Sequence, residues 1–241
     1  MIYEHWFVQF DFPDASGKPY KSSGGAMKWC DSLKCNIPAG WEFGYVGEYL
    51  KKVDRGISYS SADIASPHGI AMLNLACFDK SANYRTGELK KYSGKFSSTD
   101  LVYPGDMLIA CTDLTRNADI IGRPIFAPWE CQEYVFSTDL AKISVKTEIS
   151  KEYLYYTLRT DAYHRYIKPF ASGTNVLHLN IDGVLKFSIV IPPTSLLDKF
   201  TTLAESIIRK TGYLLNENLS LIASRDWLLP MLMSGQVTVE E

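Results

Sequence analysis

Short apolar blocks separated by turn-forming residues fill most of the chain, and one long helical rhythm follows them. Trp41–Leu50, Gly69–Phe78, Met107–Cys111, Ile120–Ile121, Ile125–Ala127, Glu133–Ser137 and Phe187–Ile191 are short apolar or alternating runs, which predicts strands. Leu101-Val102-Tyr103 leads into Pro104-Gly105-Asp106, a turn. Behind Ser150, whose hydroxyl can cap a first turn, Leu154, Leu158, Ala162 and Tyr166 recur at helical spacing. That predicts one helix from Ser150 to about Ile167. The polar run Asp79–Thr99 reads as an exposed loop. Many short strands with a late helix predict an α+β domain.

After Pro193 the pattern changes. Ser195 can cap a helix in which Phe200, Ile207, Leu214 and Leu221 lie seven apart, as do Ile208, Leu215 and Ile222. The stripe is broad enough to seat a partner helix, and folding back on its own domain is the alternative. Gly212 interrupts the stripe on this single long helix, and Pro230 should end the helix, since proline cannot continue the hydrogen-bond ladder. The chain thus divides into an arm (1–36), a domain (37–193), a long helix (194–230) and a tail (231–241). The arm mixes aromatics (Trp6, Phe7, Phe10, Phe12) with a polar, Gly-rich stretch, so it should be tied down against something.

The chain has 241 residues, 46% of them hydrophobic, enough for a sizeable core, and 22% charged, too few for bulk disorder. A net charge of -2 leans against nucleic-acid binding, which needs Lys and Arg, although only a local patch has to be basic. Residues 51–123 carry ten basic and eight acidic side chains, which permits such a patch. Five scattered cysteines do not form a disulfide framework, the first residues lack a signal-peptide pattern, and no apolar stretch reaches membrane-spanning length. A cytoplasmic setting is the expectation.

Candidate chemistry is sparse. No phosphate-cradling Gly-rich loop is present, so no cofactor is expected. His5, His68, His164 and His178 show no ligand spacing, and Cys30 and Cys35 have no second pair, so no metal is expected. Asp79 with Glu88-Leu89-Lys90 imitates the acid, acid-x-Lys set of Mg-dependent nucleases, a common triplet that leaves a stand-alone nuclease as the rival reading.

Several motifs then fall into one order. Phe10-Asp11-Phe12-Pro13 with Gly17–Gly25 resembles the central spacer of Type I restriction specificity subunits. Ile37-Pro38-x-Gly40-Trp41 resembles the entry to their target recognition domain. Tyr103–Ile109 with Ile121-Gly122 is similar to its Pro-Gly-Asp strand, and Ser172–Leu179 with Ile189–Pro193 to its closing segment. Leu197–Leu221 and Arg225–Pro230 resemble the long helix and C-terminal tail. Each motif is short; their ordered set is the specific part.

The resemblance implies a mixed, strongly twisted β-sheet domain with short helices, followed by a long α-helix in an antiparallel coiled coil. It implies a non-catalytic reader of double-stranded DNA. Methyltransferase subunits methylate the bipartite target, and motor-nuclease subunits cleave. A complete member carries two such domains and two helices. This chain carries one of each and resembles a second half, so two copies are expected to pair through Phe200, Ile207, Leu214 and Leu221. Arg225-Asp226-Trp227 is a candidate for docking the methyltransferase subunit. Asn216 and Asn218 lie on the helix, exposed or fixing its register. Four polar loops between the strands are candidate DNA contacts. They contain Lys51, Lys52, Arg55, Tyr59 and Ser60; Arg85, Lys90 and Lys91; Thr112, Arg116 and Asn117; and Thr174, Asn175 and His178.

Overall fold

The computed structural model describes residues 2–236. The arm starts with a single π-helical turn, Glu4–Val8, and ends in a hairpin of β1 (Met27–Cys30) and β2 (Cys35–Pro38). The domain then runs through β3 (Glu42–Tyr45), β4 (Leu50–Arg55), β5 (Ile70–Leu73), β6 (Lys90–Tyr92), β7 (Leu101–Val102) and β8 (Met107–Ala110). Next come β9 (Thr112–Asp113), β10 (Pro124–Phe126), β11 (Tyr134–Phe136), β12 (Leu140–Val145), α1 (Lys151–Leu158) and α2 (Asp161–Ile167). It closes with β13 (Ala171–Ser172), β14 (Leu177–Leu179), α3 (Ile181–Leu185), β15 (Ser188–Ile191) and the 40-residue α4 (Thr194–Met233).

The fold is mixed α+β. Among the described residues its strands form five small sheets, ordered β10-β8-β12-β4, β6-β5-β11-β7, β13-β14-β9, β15-β3 and β1-β2. The first sheet is covered on both faces, which is why β8 reads as an unbroken apolar run. Met107 and Ile109 enter one core with the arm and helices, while Leu108 and Ala110 enter a second with β5 and β11.

Aromatic packing ties the arm down. Phe7 meets Phe200 edge-on at 4.9 Å between ring centroids and Tyr153 at 5.0 Å, while Phe12 stacks on Trp41 at 5.2 Å. Tyr3 and Thr157 share a buried hydroxyl hydrogen bond of 2.9 Å. The polar stretch behind these rings is ordered locally: Asp11 accepts from the Ser22 amide and hydroxyl, and Asp14 from the Ser16 and Lys18 amides.

Several expectations change. The single helix after Ser150 is two helices. Thr160 is extended; its hydroxyl donates to Thr157 O and accepts from Tyr163 N, capping α2, while the Arg123 guanidinium binds the carbonyls of Arg159 and Thr160. The segment from Lys51 to Arg55 is the edge strand β4 rather than a loop, and β6 lies inside the polar run expected to be an exposed loop. Ile120–Ile121 sits in a turn region, not a strand. The long helix begins at Thr194 and continues through Pro230 to Met233, because the carbonyl that Pro230 leaves unbonded lies on an exposed turn. Of the tail, 237–241 lie outside the described residues.

Candidate nucleic-acid interface

One rim of the domain gathers segments far apart in sequence. It begins at Asp113, whose buried carboxylate accepts from the amides of Thr115 and Ile120, both at 2.7 Å. Thr115 Oγ1 accepts from Asp119 N at 3.0 Å, and Ala118 adopts a left-handed φ of 52° with its carbonyl 2.8 Å from His164 Nε2. The loop is therefore braced from inside, and its tip projects Leu114, Thr115, Arg116 and Asn117 into solvent. Leu114 is 68% exposed, an unusual position for leucine on an otherwise polar loop.

Strand pairing brings a second loop beside the first. β14 pairs with β9 so that His178 lies opposite Thr112 and Leu177 opposite Asp113. The turn between β13 and β14 presents Thr174 and Asn175, and β14 itself presents His178, all exposed. Gly173 makes that turn possible: at its φ of 137° a Cβ would collide with Val176 O. Arg55, at the end of β4, lies beside the Cys111 thiol that precedes β9. Burial pushes that thiol up to about 11, with the guanidinium pulling the other way, so it is protonated at neutral pH.

Further along, Ile57 bridges to Ser137 beside Asp139, which accepts from Thr112 Oγ1 at 2.9 Å and Ser137 Oγ at 3.0 Å. Lys90 donates to the Tyr59 hydroxyl at 3.2 Å and sits over its ring. The structure thus joins Arg55, Tyr59, Lys90, Arg116, Asn117, Thr174, Asn175 and His178 along linked segments.

Other candidates fall elsewhere. Thr112 is buried and its hydroxyl is committed to Asp139, so it is a brace and not a contact, a correction to the expectation above. The Ser60 hydroxyl and amide both bind Asp63. Lys51 and Lys52 lie up to roughly 13 Å along β4 from Arg55, and Lys52 pairs with Asp54 at 2.6 Å. Lys91 is half-buried in β6. Arg85 is exposed, but its neighbours turn away, Asn83 to Arg159 and Tyr84 to Glu130. Phe200 is corrected as well: it is 2% exposed in the domain's own core, whereas Ile207, Leu214 and Leu221 are exposed. Sequence reasoning missed Leu114 and its brace Asp113. The available signal was an apolar residue inside an Asp-x-Thr turn.

Two members of the nuclease-like set are held by other partners. Asp79 accepts from the amides of Ser81 and Asn83 within its own turn, and Lys90 is engaged by Tyr59. Among the described residues, no cluster of three His, Cys, Asp or Glu side chains is placed to share a metal ion, and no helix is long and apolar enough to cross a membrane.

A second concave feature lies between α4 and α1, a groove of about 1100 Å³. Ile207, Ile208 and Leu215 form one wall, Tyr155 and Tyr156 the other, with Trp129 nearby. Tyr155 stacks on Phe126 at 4.4 Å and lies under the Arg159 guanidinium. At Gly212 a Cβ would collide with the Trp129 ring, and Asn216 Nδ2 donates to Trp129 O at 3.1 Å. These two contacts are the last that hold α4 to the domain before its C-terminal turns become exposed, Trp227 to 64%.

No family profile matches the chain. The MjaIX Type I restriction enzyme specificity subunit of Methanocaldococcus jannaschii is 24% identical over 249 residues, covering 100% of this chain and 52% of that subunit. The HindI specificity subunit of Haemophilus influenzae is 36% identical over 91 residues, covering 37% of this chain and 20% of its own length. A solved chain of a type I R-M system shares the fold, with a TM-score of 0.50 at 17% identity over 80% of this chain and 45% of that one. In sequence the chain is similar to Type I restriction specificity subunits, and it spans about half the length of the curated relative that it matches throughout.

Proposed function

We propose that the chain is a non-catalytic, sequence-specific reader of double-stranded DNA. It directs a methyltransferase subunit and a motor-nuclease subunit to a bipartite target, in the cytoplasm and with no cofactor of its own. The observation that carries this reading is the rim: the Leu114–Asn117 tip and the Thr174–His178 turn are held side by side by the β9–β14 pairing and flanked by Arg55. Rigid loops with exposed Arg, Asn, Thr and His side chains suit base edges and phosphates, and an exposed leucine suits a thymine methyl. Two copies paired through α4 present two such rims to a two-fold symmetric, interrupted target, and together they cover about the length of the curated relative.

The test has two stages. Co-expression with a methyltransferase subunit and mapping of methylated sites should return one symmetric, interrupted sequence. Duplex binding by the R116E/K90E variant should weaken and show a shallower salt dependence, by about one counterion for each phosphate that is no longer neutralised. Binding unchanged by both reversals removes the rim from the reading. A strict monomer in light scattering at micromolar concentration removes the pairing.

A further inference from the structure

Helix α4 has a symmetry that its seven-residue rows do not reveal by themselves. Its apolar residues come as adjacent pairs, Ile207-Ile208, Leu214-Leu215, Leu221-Ile222 and Leu228-Leu229. These pairs are mirror-placed about Asn218. Leu214-Leu215 and Leu221-Ile222 lie at equal distances on either side, and Ile207-Ile208 matches Leu228-Leu229. Leu203 matches Met233 in the same way.

Three other positions suit the same mirror. Lys210 corresponds to Asp226, an attractive pair made twice by symmetry. Arg209 corresponds to Trp227, a guanidinium against an indole. Gly212 corresponds to Ser224, so the turn pressed onto Trp129 meets a small side chain.

We infer that two copies of α4 pair antiparallel with the two-fold axis at Asn218, and that the groove between α4 and α1 is the seat of the second copy's Leu221–Leu229 turns. The inference rests on the pairing proposed above and adds its register and its receptor surface. In this register the second copy's Leu221–Leu229 run lies level with Ile207–Leu215, whose side chains form one wall of the groove opposite Tyr155 and Tyr156.

Other registers fit worse. Moving the axis half a heptad later, between Leu221 and Ile222, sets Glu217 against Asp226. Moving it half a heptad earlier, between Leu214 and Leu215, sets Leu228-Leu229 against Thr201 and the buried Phe200. The apolar surface suffices for a stable pair. Leu203, Ile207, Leu214, Leu221, Ile222, Trp227, Leu228, Leu229, Leu232 and Met233 are all exposed. Their exposed parts amount to on the order of 1000 Å² per copy, against about 800 Å² per partner in a typical stable complex.

Cysteine cross-linking of the full chain reads the register. In a Cys30→Ser, Cys35→Ser, Cys131→Ser background, single cysteines replace Asn218, Leu214 or Leu221. At the axis, Asn218→Cys should link to itself under mild oxidation. Two copies of Leu214→Cys are eight residues, about 12 Å, apart in level and should not self-link. Mixed with Leu221→Cys they should link to each other. Self-linking at 214 or 221 in place of 218 overturns the register while leaving the pairing intact. A scattering dimer with no link at any of the three positions overturns the helix as the interface. A monomer with no links removes the pairing reading itself.

Discussion

The two halves of α4 carry the same apolar rhythm and meet opposite fates. From Leu196 to Ala204 the stripe is buried, with Phe200 inside a cage of Tyr3, Trp6, Phe7 and Tyr156. From Leu214 to Met233 most of the same kind of side chain stands in solvent. Nothing in the spacing separates the halves. The difference lies in the arm, whose aromatics reach only the first turns. Gly212 and Asn216 on Trp129 mark the changeover. A periodic apolar stripe therefore says that a face needs cover; what supplies the cover must be read elsewhere in the chain.

The sharpest way to break this comparison is to truncate one residue in each half. Phe200→Ala should cost about 3–5 kcal/mol of stability in chemical unfolding. Leu221→Ala should change the unfolding of the diluted monomer by less than about 0.5 kcal/mol. Equal losses would mean that the halves are not distinct. At the changeover, Gly212→Ala would gain up to about 1 kcal/mol were the site an open helix face, but the Cβ collides with the Trp129 ring. A net loss of about 1–3 kcal/mol is expected, and a gain in Tm would dismiss the contact.

The smallest effect tests the docked half by pH. Burial, with the Glu205 carboxylate of α4 adding to it, raises the pKa of the buried Glu152 carboxyl above its ordinary 4.5. The folded state holds that proton more tightly than the unfolded state, so the contribution to stability is full below 4.5 and fades as pH climbs through the raised value. Glu152→Gln, which imitates the protonated form, should raise Tm slightly at pH 7 and lose its advantage near pH 4. A constant difference across that range would place the effect elsewhere.

The elements most legible in the sequence were those buried on both faces or stopped by strong punctuation. β8 after the Pro104-Gly105-Asp106 turn and β15 before Pro192-Pro193 are such cases, and so is the long helix. β4 and β12 were not legible. They form the longest antiparallel pairing, yet Lys51, Lys52, Asp54, Lys142 and Ser144 break their apolar pattern. Lys142 sits there because its ammonium donates to Leu101 O on the neighbouring sheet, a partner that no local window contains. The break between α1 and α2 depends likewise on Arg123, far upstream. The rim was half legible. Its loops could be named from polarity, but their union depends on β9 meeting β14 across more than 60 residues, and the burial of Thr112 depends on Asp139.

Asp113 separates the shape of its loop from the content of that loop. Its carboxylate grips backbone amides, which every residue except proline supplies, and touches none of the side chains at the tip. Leu114, Arg116 and Asn117 can therefore be exchanged without redrawing the path of the chain. A lineage can rewrite its vocabulary at those positions while the grammar, the braced loop itself, stays as it is.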